Sequence, residues 1–149
     1  MEEELTNKQT RLDIAHHGSM FCLLFGITYI IGFFCYFITP HINRPYLMAE
    51  NFYSAEGIQA YLDNPLIHKI FWIVNGLSAF FVMGIVVTFY MMVRKVNKIL
   101  MAWLSILAFI GLSIMAITNT QAVFLHPNLA EVFSQGTDVI KMAILYSKG

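Results

Sequence analysis

Three histidines, His41, His68 and His126, stand at the same end of three separate apolar stretches of this 149-residue chain. Imidazoles converging at one depth from three helices form a ligand set that zinc or copper uses, and Glu50, Glu56 and Asp63 nearby could complete a shell. No H-x-x-x-H spacing ties any two of them together, and the commoner role of an interfacial histidine is that of an amphipathic headgroup residue. A haem needs axial ligands facing each other across a bundle. No histidine lies inside an apolar stretch, so a histidine-held haem would sit near an interface, through His41 with His68 or through His17 on the opposite side. These signals lead to no expected cofactor; metal or haem is the alternative they leave open.

Within the apolar stretches the one strongly polar side chain is Asn75. Such a group in hydrocarbon must find a partner, and its usual use is a helix-to-helix hydrogen bond worth about 1 kcal/mol. Small residues mark where helices meet. Gly18, Cys22 and Gly26 recur every fourth residue, Gly76 and Gly84 lie two turns apart, and Ala102, Ser105 and Ala108 line one side of a third helix. Gly26, Asn75, Gly76, Gly84 and Ser105 are therefore the candidate helix-packing residues, within the chain or against another subunit. No nucleophile–base pair, phosphate-binding glycine loop, CxxC or HExxH motif is present. Nothing in the sequence argues for catalysis.

The elements that position these residues are membrane helices. The composition is 58% hydrophobic and 12% charged, the reverse of a water-soluble domain, in which roughly a quarter of residues are charged. Residues 20–39, 70–93 and 99–118 carry no charge and match the roughly twenty residues that cross a hydrocarbon core of about 30 Å. The expected fold is all-α: one membrane domain over 1–149, a helical bundle of three transmembrane helices. A polar N-terminal helix over 1–18 precedes the first span, and an outer loop over 40–69 precedes the second. Asn64-Pro65 starts that second span, with Trp72 and Tyr90 as interfacial aromatics. His126-Pro127-Asn128 is expected to break the third helix. A short C-terminal helix then follows over 139–146, in a segment (119–149) that either lies at the surface or begins a partial fourth span of a longer protein.

Orientation follows from basic residues. Arg94, Lys95 and Lys98 make the short second connection positive, whereas 119–140 has no lysine or arginine; the positive-inside rule then puts that connection and the N-terminus in the cytoplasm. The acidic start and the length of the first apolar run argue for a retained anchor rather than a cleaved signal. The scattered basic residues exclude a nucleic-acid surface. Cys22 and Cys35 are thirteen residues apart in one helix, roughly 20 Å, too far for a disulfide, and read as packed thiols.

The run Leu24-Phe25-Gly26-Ile27-Thr28-Tyr29-Ile30-Ile31-Gly32, the outer loop with its small-residue helix, and the turn Val93-Arg94-Lys95-Val96-Asn97-Lys98 occur in an order that resembles the bacterial multi-pass family catalogued as domain of unknown function 4386. The resemblance covers residues 12–147. It implies multi-pass membrane architecture and further spans, and implies no activity. The reading is a non-catalytic membrane protein of the cell membrane, an accessory subunit or helix-packing module partnered by lipid, other membrane subunits or itself. The alternatives are a metal- or haem-binding redox protein using the outer histidines, and an oligomeric small-molecule transporter or binding protein built around Asn75.

Overall fold

A computed structural model describes residues 2–48, 51–93 and 97–146. The polar N-terminal stretch and the first apolar run contain no proline and merge into one helix, α1 (Glu2–Ile38). It stops at Thr39-Pro40, because proline lacks an N–H and restricts the residue before it. Thr39 Oγ1 donates to the Cys35 carbonyl at 2.8 Å. Arg44 then reaches back, Nε donating to Thr39 O at 3.1 Å and Nη2 to Phe37 O at 3.4 Å, a cation on the carbonyl end of a helix.

Arg44–Leu47 forms a single 3-10 turn. Helix α2 (Ala55–Asp63) is capped by Ser54, whose Oγ accepts from Gly57 N–H at 2.9 Å. Glycine is required at 57, since a Cβ there would run into the Asn51 and Phe52 carbonyls. Helix α3 (Pro65–Val93) starts on its proline, as the Asn64-Pro65 dipeptide predicts. Helix α4 (Lys98–Gln135) is capped by Asn97, whose Oδ1 accepts from Leu100 N–H at 3.0 Å. Helix α5 (Asp138–Tyr146) closes the order. Arg94 and Lys95, on which the orientation rests, lie outside the described residues, as does Glu50.

Three of these helices, α1, α3 and α4, are long and apolar enough to cross a membrane. They form an all-α helical bundle in which α3 is the middle member. About 33% of its apolar window is buried, against 11% for α1 and 11% for α4, so the outer two lie on either side of α3 with their far faces uncovered. Neighbours run antiparallel: Gly18 meets Thr88 and Gly84 meets Phe21 between α1 and α3, while Gly76 meets Asn119 and Thr120 between α3 and α4.

The expected break at His126-Pro127-Asn128 is not there: α4 runs through Pro127 to Gln135. Proline removes the bond to the Val123 carbonyl, a loss of about 3 kcal/mol in an exposed helix. Here the turns on either side are fixed by packing, with Ala122 and Ala130 fully buried and His126 at 4% exposure. Neighbouring structure of this kind is what makes proline tolerable in membrane helices. Helix α5 returns along the end of α4. Lys141 Nζ lies over the Phe133 ring at 5.8 Å, and Ile144 joins the buried cluster formed with Leu47, Phe52, Tyr61 and Trp72. Its nine residues span about 14 Å, less than half a bilayer core. The cysteines are free; Cys35 is buried, but Cys22 is exposed rather than packed.

Candidate functional site

The loop between α1 and α3 folds over the ends of α3 and α4 and brings Leu47, Phe52, Ile58 and Tyr61 onto Trp72. Trp72 was expected as an interfacial belt residue. It instead points inward at 0% exposure and donates from Nε1 to the Leu47 carbonyl at 2.8 Å, an interior partner that an indole N–H needs once buried. Around it the rings close into a box. Tyr61 stacks on Trp72 with centroids 5.6 Å apart, and Phe52 stacks on His126 at 3.9 Å. His68 and His126 meet the Trp72 ring edge-on at 5.8 and 4.8 Å.

The structure thus brings together two of the three candidate metal ligands. His41 is exposed in the turn after α1 and makes none of these ring contacts. Among the described residues, no group of three or more His, Cys, Asp or Glu is close enough to hold a metal. Of the three imidazoles, His68 and His126 both lie against the Trp72 ring, and His41 stands apart from them. His68 Nδ1 donates to the Asn64 carbonyl at 3.1 Å, which in the neutral ring leaves the lone pair on Nε2. That Nε2 and the His126 Nδ1 are buried without a hydrogen-bond partner. Their environment is aromatic, and the rings serve as walls that fasten the loop to α3 and α4. Tyr61, outside the spans, has its phenol pushed above its ordinary pKa by the same burial.

A second feature lies beside Asn75. Gly18 against Thr88 and Gly84 against Phe21 are tight contacts of α1 with α3 near one end. Towards the loop a cleft of about 330 Å³ lies between the same two helices, within the range of ligand sites. Phe33, Phe37, Phe71 and Val74 make it apolar; Thr28, Asn75 and Ser78 put polar groups at its inner end, and Tyr36 and Met48 stand near the loop. Asn75 Nδ2 donates to the Phe71 carbonyl at 2.8 Å, Ser78 Oγ to Asn75 O at 2.8 Å, and Thr28 Oγ1 to Phe25 O at 2.8 Å. The carboxamide of Asn75 therefore bonds within its own helix and not across to another.

The remaining candidates separate. Gly76 and Gly84 sit at helix contacts, whereas Gly26 has open space where a Cβ would stand. The Ser105 hydroxyl is buried and without a partner. Sequence reasoning read Phe52 and Tyr61 as headgroup-level aromatics and missed Arg44 and the residues that line the cleft. Their signal was available only in part: Thr28, Gly32 and Tyr36, and Phe71, Asn75 and Ser78, fall at i, i+4 and i+7 or i+8, the spacing of one helix face. Searched against protein-family models, curated proteins and solved structures, the chain matches none of them.

Proposed function

We propose that this chain is a non-catalytic module of the cell membrane, crossing it three times with the N-terminus in the cytoplasm, which works by lateral association with other membrane helices. The observation that carries the reading is the open arrangement of its three apolar helices. Helices α1 and α4 pack on α3, and most of their apolar surface stays uncovered. Lipid tails satisfy such a face as well as another helix does, so association in a bilayer depends on close packing at small residues. Gly26 on α1 and Gly111 on α4 have nothing within 4 Å of where a Cβ would be. Each is a notch on an outer face into which a partner's side chain fits.

The test places a photo-crosslinking side chain at position 26 or 111 of the full chain in cell membranes. A discrete adduct with one further polypeptide, lost on replacing the same glycine by leucine, supports the reading. Lipid adducts alone at both positions defeat it, as does substrate turnover or ion flux by the isolated protein in liposomes. Single cysteines at positions 6 and 54, introduced after Cys22→Ser and Cys35→Ser, test the orientation. Only position 54 should label from outside intact cells.

A further inference from the structure

We infer that the α1/α3 cleft is a binding site for one acyl chain of an anionic membrane lipid, whose head group is held by Arg44. The inference is independent of the lateral-association reading, since it concerns the inner groove of the helix layer and not its outer faces.

Two separate observations meet at this place. The first is the cleft itself. Its floor is where Gly32 faces Val74, with the nearest Val74 methyl 3.9 Å from where a Gly32 Cβ would be. A leucine at 32 would project from that floor into the cleft. Apolar walls suit an aliphatic chain, and the Thr28 and Ser78 hydroxyls and one Asn75 N–H at the inner end already donate to carbonyls of their own helices, so a hydrocarbon entering there leaves those donors bonded.

The second is the charge at the loop end. The Arg44 guanidinium carbon lies 5.0 Å above the Tyr36 ring and 5.5 Å above the Phe37 ring, the two aromatics that wall that end of the cleft. Two of its N–H groups are engaged by the Thr39 and Phe37 carbonyls. A guanidinium has five, so three remain, and no carboxylate among the described residues pairs with it. A phosphodiester is the acceptor that matches a planar cation in this position, and at a membrane interface it arrives on a lipid. The cleft takes one tail and Arg44 takes the head.

The experiment is native mass spectrometry of the delipidated full chain in detergent, with phosphatidylglycerol and phosphatidylcholine of identical acyl chains added in competition. One phosphatidylglycerol should be retained per chain, with a preference of about tenfold over phosphatidylcholine, as one charge-assisted contact allows. Arg44→Gln should abolish the preference and keep the single lipid. Gly32→Leu should lose the bound lipid of either kind, and if that variant does not fold, Val74→Phe fills the same space from α3. Equal retention of the two lipids by the native chain overturns the inference, as does a full preference in Arg44→Gln or a retained lipid in a folded cleft-filled variant. Displacement of the lipid by inorganic phosphate alone would make this an anion site without a tail and overturns it equally. So would a cross-link through position 32 to a second copy of the chain.

Discussion

Replacing Gly84 by alanine tests the contact on which the packing of α1 against α3 rests. The added methyl would stand 2.6 Å from Phe21 Cγ and 2.7 Å from each Cδ, where carbon atoms in contact lie about 3.5–4.0 Å apart. These are the ring atoms nearest the Phe21 backbone, so the ring cannot swing clear by a small rotation, and the two helices must part by about 1 Å. Overpacking of this degree destabilises by roughly 1–3 kcal/mol. Against it stands a gain of about 1 kcal/mol from exchanging glycine for alanine within a helix. A net loss of up to about 2 kcal/mol is expected from those two terms. Gly26→Ala and Gly111→Ala, with open space at the same atom, keep only the gain and should stabilise by up to about 1 kcal/mol. Reversible unfolding in mixed micelles, followed by circular dichroism, gives all three values. In a Phe21→Ala background the Gly84→Ala penalty should vanish, a coupling between contacting residues that a double-mutant cycle isolates. A penalty that survives in that background, or a Gly84→Ala protein as stable as Gly26→Ala, refutes the argument.

Three further outcomes follow from the loop end. His126→Phe keeps the ring on Phe52 and removes a buried nitrogen without a partner; the same unfolding measurement should show it as stable as the parent or about 1 kcal/mol more so. His126→Ala should lose roughly 2–5 kcal/mol. Pro127→Ala supplies an N–H that the Val123 carbonyl can accept, and hydrogen exchange over 123–131 should slow by an amount corresponding to roughly 1–3 kcal/mol. The Tyr61 phenol is held above its usual value of 10.0 by burial, so the unfolded chain releases that proton first. The stability it contributes is complete below pH 10 and falls as pH rises through the higher folded value; Tyr61→Phe should abolish this alkaline loss, read by unfolding at increasing pH.

The three membrane helices were legible because twenty or more uncharged residues have few alternatives to spanning a bilayer. The start of α3 was legible for a local reason, the asparagine–proline pair at residues 64 and 65. What the sequence concealed was set by contacts between distant residues. Proline at 127 reads as a stop in isolation; only the burial of Ala122, His126 and Ala130 against the loop explains why α4 continues. Trp72 reads as a belt residue until the Leu47 carbonyl, 25 positions away, gives its N–H an interior partner. The three histidines shared a depth, but depth says nothing of azimuth, and His41 falls outside the box that holds the other two. The cleft beside Asn75 is walled by α1 and α3 together, and the face spacing within each helix does not say which face of the other it meets.

The continuity of α1 has a mechanical consequence. Its 37 residues make a rod of about 55 Å, against a hydrocarbon core of about 30 Å. Its polar N-terminal turns carry local side-chain hydrogen bonds, with Thr10 Oγ1 donating to Thr6 O at 2.9 Å, Gln9 Nε2 to Asp13 Oδ1 at 3.0 Å, and His17 Nδ1 to Asp13 O at 2.7 Å. Along this rod Gly18 is seated tightly on Thr88. From there Thr6 is about 18 Å away in one direction and Tyr36 about 27 Å in the other. One unbroken helix therefore joins the polar N-terminal turns to the wall of the cleft at Thr28, Gly32 and Tyr36, with no loop between them to absorb a rotation.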